Sequence, residues 1–225
     1  MSIKPLILDG AMGTNLLQKG FRPPFEDLNI TQPEVIKKLH LDYLQAGSEV
    51  LLTHTFNAQT QPQCEAAWNI IKDLPSHKFV SIGPEANASL ILDFFKDKET
   101  RFVFETIFDL KTAVKIIDLY HHLDPIFSFC LRPHDFEKVI NHLSQYSISV
   151  VGLNCLDGFN EAEDLLKMIP PHYQIYFKPN TGKEKLSPEE FSRLGKELIS
   201  QYPISYFGGC CGTTPAHIQK VRRTF

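Results

Sequence analysis

Apolar stretches are short throughout this chain, none approaching the ~18 residues that a membrane-spanning helix needs, so no membrane partner is expected. Near the N-terminus a lysine is followed only by Leu6, Ile7 and Leu8 before Asp9, too little for the apolar core of a signal peptide. A cytoplasmic protein is the expectation. Phosphate-cradling loops are missing as well: the turns at Gly83-Pro84 and Gly182 fit neither a Gly-x-Gly-x-x-Gly nor a Walker spacing, which sets nucleotide binding aside. Basic residues cluster only at Lys220, Arg222 and Arg223, within a net charge of -3. That cluster is expected to complement a helix dipole, and no nucleic-acid partner is expected.

Cys-x-x-Cys is absent, and the five cysteines are an odd number without a secretory signal. A disulfide framework is therefore disfavoured against metal binding or catalysis. With no Pro/Gly/Ser linker, no low-complexity tract and an apolar fraction of 43%, the 225 residues read as one compact domain spanning 1–225.

What is present is a repeating alternation. Leu6 to Leu8, Val50 to Leu52, Phe79 to Ile82, Phe102 to Phe104, Ile126 to Phe129, Ser149 to Leu153, Gln174 to Phe177 and Ser205 to Phe207 read as strands. Helical patterns fill the intervals. Thr31 and Glu34 have capping-box spacing ahead of an apolar face formed by Val35, Ile36, Leu39, Tyr43 and Leu44. Asp109 and Asp135 read as N-caps, and Ser187-Pro188-Glu189-Glu190 supplies cap, first-turn proline and reciprocal glutamate together. After the first interval the strand centres lie ~23 to 30 residues apart, about what one βα unit takes. Eight such units predict an α/β fold of the (β/α)8 TIM-barrel type rather than an open doubly wound sheet.

A barrel of this kind gathers its chemistry at the C-terminal strand ends. Those ends here carry Asp9, Thr53, Glu105, Cys155, Asn180, Cys210 and Cys211. Adjacent side chains on a strand point opposite ways, so Cys210 and Cys211 can converge only if the backbone leaves the extended path, as Gly208, Gly209 and Gly212 permit. With Cys155, three thiolates from two strand ends could then face one ion. Three sulfurs and an open fourth position describe a Zn²⁺ site that accepts a substrate, and a thiol arriving there would lose its proton at neutral pH. Cys64 and Cys130 read as small core hydrophobes. Asp9 and Glu105 suit the ammonium group of a zwitterionic amino acid, with N–H groups after Asp9 receiving its carboxylate; the competing reading is that each caps a loop or pairs with a nearby base. His54 reads as a hydrogen-bonding rim residue.

Leu8-Asp9-Gly10-Ala11-Met12-Gly13-Thr14, Ser81-Ile82-Gly83-Pro84, Glu105-Thr106, Gly152-Leu153-Asn154-Cys155, Pro179-Asn180-Thr181-Gly182 and Gly208-Gly209-Cys210-Cys211-Gly212-Thr213-Thr214-Pro215 together resemble the homocysteine S-methyltransferase family. The motifs occur in family order from end to end of the chain. The resemblance implies a zinc-bearing barrel in which Cys155, Cys210 and Cys211 hold the metal and the homocysteine sulfur takes the open position to attack a methyl group in line. It further implies that Asp9, Gly10 and Glu105 hold the amino and carboxylate ends of homocysteine, that Asn180 contributes to substrate binding, and that Met12 lines the pocket. The chain is short for the family, trimmed between strands two and three, three and four, and five and six, and His54 stands where the family commonly has Asn.

The expectation is thus a methyltransferase forming methionine. Its donor would be S-methylmethionine or S-adenosylmethionine, or methylcobalamin carried by a separate corrinoid protein; betaine fits less well. The alternative is a zinc-dependent thiol-binding or regulatory protein without transfer activity.

Overall fold

Strand β1, Leu6–Ile7, pairs in parallel with β8, Ile204–Phe207, and from there the sheet runs through β7 (Gln174–Lys178), β6 (Val150–Asn154), β5 (Ile126–Phe129), β4 (Arg101–Ile107) and β3 (His77–Ile82) to β2 (Val50–Leu52). A parallel bridge between Leu8 and Val50 joins the two ends, so the eight strands close into a barrel. This computed structural model describes residues 4–183 and 185–225; the N-terminal reading of the sequence rests partly on residues 1–3, outside them.

Inside the barrel, Leu8, Val50, Leu52, Phe79, Val103, Ile126, Val150 and Tyr176 pack into one buried cluster, floored by Leu6 and Tyr206. A larger apolar layer lies between the strands and the helices around them. Side chains two apart on a strand share a face. Stepping two residues from Phe79, Val103, Ile126 and Tyr176 therefore leads to Ser81, Glu105, Ser128 and Lys178, all buried. The layer at the C-terminal mouth is polar because the apolar alternation stops one step short of it.

The helices are α1 (Gly13–Gln18), α2 (Leu28–Thr31), α3 (Pro33–Ala46), α4 (Gln61–Ile71), α5 (Ala88–Phe95), α6 (Leu110–Tyr120), α7 (Pro133–Leu143), α8 (Phe159–Leu166), α9 (Pro188–Gln201) and α10 (Pro215–Thr224). The two short helices α1 and α2, in the first interval, exceed the simple eight-plus-eight pattern. Asp109 caps α6 by accepting from Thr112 N at 2.8 Å, and Ser187 and Glu190 bond reciprocally at the start of α9. Two expected caps are corrected. Thr31 belongs to the end of α2, where its hydroxyl donates to Asp27 O, and α3 starts after Gln32 with Pro33 in its first turn. Asp135 likewise lies inside the first turn of α7, whose N-cap is Arg132; Pro133 already supplies the preset φ that begins the helix. Of the C-terminal basic cluster, Lys220 pairs with Glu189 and Arg222 with Glu49, each at 3.2 Å. No helix among the described residues is long and apolar enough to cross a membrane.

His40 on α3 is fully buried, and neither ring nitrogen has a hydrogen-bond partner among the described residues. Burial depresses it from 6.5 to about 4. The folded state thus resists protonating a group that the unfolded chain protonates near 6.5, so this contribution is complete above pH 6.5 and is lost as pH falls toward 4. A His40→Leu variant removes an unpaired polar group, at a gain of about 1–3 kcal/mol. Its urea midpoint at pH 7 should rise and its acid slope should shrink; an unchanged slope would contradict this account.

Candidate metal and substrate site

At the mouth the backbone departs from strand geometry in the two places where the candidate cysteines sit. Cys155, immediately after β6, has φ 55°, a left-handed conformation costing a non-glycine residue on the order of 1–3 kcal/mol. Its amide donates to Lys178 O at 3.3 Å, and its carbonyl accepts from the half-buried Cys130 thiol. After β8 the chain turns at once. Gly212 takes up φ 84°, while Gly208 is needed for close approach, since a Cβ there would lie 2.5 Å from the Asp9 carbonyl oxygen. Of the three glycines expected to release the strand, only Gly212 uses the left-handed region.

The turn does what the spacing predicts. The Sγ atoms of Cys155, Cys210 and Cys211 all lie within 4.8 Å of one another. Cys155 and Cys210 are paired as a disulfide, with Cα atoms 5.7 Å apart, and Cys211 is a free, exposed cysteine. The sequence predicts three thiolates and disfavours a disulfide, so the pairing of Cys155 with Cys210 departs from that expectation. Two sulfurs that meet across the mouth from different strands are also sulfurs that one ion could gather with the third. With Cys155 and Cys210 reduced, the donor set fits Zn²⁺: three soft thiol ligands beside an open pocket.

The pocket, about 270 Å³, is lined by Asp9, Gly10, Met12, Glu105, Cys155, Cys210 and Cys211, so seven of the eight expected site residues come together. The exception is Asn180. Pro179 O accepts Cys210 N at 2.9 Å and Thr181 N donates to Cys211 O at 3.1 Å. It is thus the backbone on either side of Asn180 that faces the cysteine turn. The Asn180 side chain stands outside the pocket lining, its Oδ1 buried and unpartnered among the described residues.

Asp9 and Glu105 face each other across a residue the sequence reading passed over. Lys178, at the end of β7, is 5% exposed and places Nζ 3.0 Å from Asp9 Oδ1 and 4.0 Å from Glu105 Oε1. Leu52 N donates to the second Asp9 oxygen at 2.9 Å, while Glu105 accepts from Ser81 Oγ at 2.6 Å and Tyr176 OH at 2.9 Å. Burial alone would lower the Lys178 ammonium, but Asp9 and Glu105 outweigh it and hold the group above its usual range. The competing reading of Asp9, a carboxylate paired with a nearby base, describes what the structure shows; Glu105 lines the pocket with both oxygens bonded by hydroxyls and with Lys178 Nζ 4.0 Å away.

Asn154 ties the two halves of the mouth together. Its Oδ1 accepts from Thr106 N at 2.9 Å and Ser128 Oγ at 2.7 Å, and its Nδ2 donates to Thr106 Oγ1 at 2.8 Å. Thr106 has φ 58°, and the β4–β5 register shifts between Phe104 and Ile107. Glu105 thus sits on a bulge within β4, not at its end, and the amide next to Cys155 pins that bulge. Glu26, on the turn before α2, also lines the pocket; its Oε1 accepts from Asn57 N at 2.8 Å, and burial raises its carboxyl. His54 is buried on the wall, with Nδ1 2.9 Å from Asn29 Oδ1, and is depressed to about 3 by burial and by His40. Lys178 and Asn154 were recoverable from period-two alternation; Glu26 had no local signal.

The chain is 25% identical to methionine synthase of Mycobacterium tuberculosis over an alignment of 293 positions, covering 98% of this chain and 24% of that one. Against methionine synthase of Mycobacterium leprae the values are 24% identity, 96% and 24%. The chain spans about a quarter of the length of these relatives. An alignment of 293 positions for 225 residues also means that the relative carries extra residues inside the matched region. Among solved structures, the homocysteine methyltransferase MmuM of Escherichia coli superposes with TM-score 0.78 in its apo form and 0.77 in its metallated form. Those matches, at 19% and 18% identity, cover 100% of this chain and 97% of the other, and establish likeness of fold. The family model for homocysteine S-methyltransferase matches residues 6–79 and 92–225, nearly the whole chain and every cysteine of the mouth, and the protein belongs to that family.

Proposed function

We propose that residues 1–225 form a homocysteine-binding barrel that methylates homocysteine to methionine, with Zn²⁺ held by Cys155, Cys210 and Cys211. The observation that carries this reading is the group of three cysteine sulfurs within 4.8 Å of one another on the lining of a pocket that Glu105 and Lys178 also line. Zn²⁺ bound there would keep an arriving thiol ionised at neutral pH. The protein's own part is placement. Glu105, fixed by Ser81 and Tyr176, accepts the substrate ammonium; Gly10 lets Tyr43 and Thr213 close behind the turn, where a Cβ would lie 2.7 Å from Tyr43 OH; Met12 supplies an apolar wall for the methylene chain. Holding the sulfur at one point and the amino-acid end at another removes the rotational freedom that a free thiol must lose to react.

The donor arrives from the open side, and its identity is the finer part of the proposal. S-methylmethionine, S-adenosylmethionine and methylcobalamin on a corrinoid protein all deliver a methyl group to such a mouth. Relatives about four times as long leave room for donor-binding parts beyond the barrel, on the same or another chain. A cytoplasmic setting is proposed because thiol ligands persist in a reducing compartment. The test is methionine formation by zinc-loaded protein supplied with homocysteine and each donor in turn. Turnover with any of them supports the reading, and homocysteine binding without turnover on any donor would favour a thiol-binding or regulatory protein instead.

A further inference from the structure

We propose that Asn154 is a positioning residue for methyl transfer, its one side-chain amide setting both how tightly the cysteines hold zinc and how well Glu105 meets the acceptor. This rests on the reading of the barrel as a homocysteine site and concerns how its two halves are held in register. Asn154 ends β6 and is 1% exposed, and among the described residues each hydrogen bond of its side chain goes to β4 or β5. The bulge in β4 explains what those bonds do. Phe104 pairs with Phe127 and Ile107 with Phe129, so Glu105 and Thr106 together stand opposite Ser128 alone. One extra residue disrupts the ladder of a strand at that point and re-aims its side chains. There Thr106 N donates to Asn154 Oδ1 at 2.9 Å and Ser128 Oγ donates to the same oxygen at 2.7 Å, while Asn154 Nδ2 donates back to Thr106 Oγ1 at 2.8 Å.

Thr106 is thus gripped at two atoms while it holds φ 58°. A left-handed backbone in a β-branched residue persists only where its surroundings over-determine it. Without the amide, β4 can close the bulge by one residue, and a slip of one residue turns a strand's side chains to the other face, taking Glu105 out of the pocket. Cys155 follows Asn154 directly and is itself left-handed at φ 55°. Its amide and carbonyl are tied to Lys178 O and the Cys130 thiol, but the peptide that enters it belongs to Asn154, anchored across two strands. Glu105 and the candidate ligand Cys155 are distant in sequence and joined by one side chain. An amide suits the task because it accepts and donates at once, which no apolar side chain does.

Reduced protein is assayed for zinc affinity by competition with a chelator, for homocysteine affinity of the zinc-saturated form by calorimetry, and for stability in urea. Asn154→Ala should weaken zinc roughly 10- to 100-fold, the usual effect of removing a group that orients a metal ligand. Homocysteine affinity of the zinc-saturated protein should fall about 10-fold, and KM should rise by a similar factor. Asn154→Ala/Thr106→Gly separates the two arms, because glycine takes a positive φ without strain: homocysteine affinity should return to within about threefold of wild type while zinc stays weak. If the single variant does not fold, the double variant alone should show that split. Unchanged zinc and homocysteine affinities in Asn154→Ala, with only the urea midpoint lowered, overturn the inference. So does a double variant in which both affinities recover or neither does. Those results leave the acceptor reading intact, whereas wild type that binds zinc but no homocysteine overturns both.

Discussion

Replacing Cys211 by alanine is expected to lower methionine formation from homocysteine by roughly 10³-fold, the equivalent of about 4 kcal/mol of lost transition-state stabilisation. Cys211 is the exposed member of the trio, on the turn after β8, so its truncation removes a ligand without opening the core. Two sulfurs remain, Cys155 and Cys210, and two thiolates do not make a site that both retains zinc and leaves one position for a substrate. Metal content should fall along with rate, while the thermal unfolding midpoint changes little in metal-free protein. Cys64, buried at the foot of α4, gives the contrast: Cys64→Ala should cost stability and leave zinc content alone. A Cys211→Ala protein that keeps more than a tenth of the wild-type rate would remove this thiol from the mechanism.

The second large effect concerns stability. Asp9→Ala leaves the Lys178 ammonium in a buried layer with Glu105 4.0 Å away as its nearest remaining carboxylate. Breaking one side of a buried pair typically costs about 3–5 kcal/mol, because the partner's charge stays out of water without compensation. That is a large share of the roughly 5–15 kcal/mol by which a domain is stable at all. Asp9→Ala should therefore lower the urea midpoint sharply. Asp9→Asn/Lys178→Met, which takes both charges away, should recover most of the loss. A loss below about 1 kcal/mol in Asp9→Ala, or no recovery in the double variant, would show that the pair does not couple as its 3.0 Å contact implies.

These two predictions draw on different kinds of legibility. The cysteine site was readable because Gly208-Gly209-Cys210-Cys211-Gly212 is local: turn residues and ligands are adjacent, and only Cys155 had to be supplied by the barrel topology. The topology in turn followed from apolar runs at regular intervals. The Asp9–Lys178 pair joins residues 169 apart, and nothing beside either residue signals the other. Reading Tyr176 as barrel interior would have placed Lys178 at the mouth by alternation. The bulge at Glu105 and the left-handed backbone at Thr106 and Cys155 are non-glycine conformations imposed by Asn154 and by neighbouring strands, so residue type alone does not announce them. Asn180 shows the opposite failure. A polar residue at a strand end was expected in the pocket, but the hydrogen bonds of Pro179 and Thr181 to the cysteine turn hold its side chain outside it.

The central claim is that the three cysteines serve methyl transfer to homocysteine through a bound zinc ion. It is tested most directly by assaying methionine formation with each donor before zinc removal by a chelator, after removal, and after return of one equivalent. The account predicts turnover that is lost with the metal and restored by it. Methionine formed at an undiminished rate by the metal-free protein would contradict it.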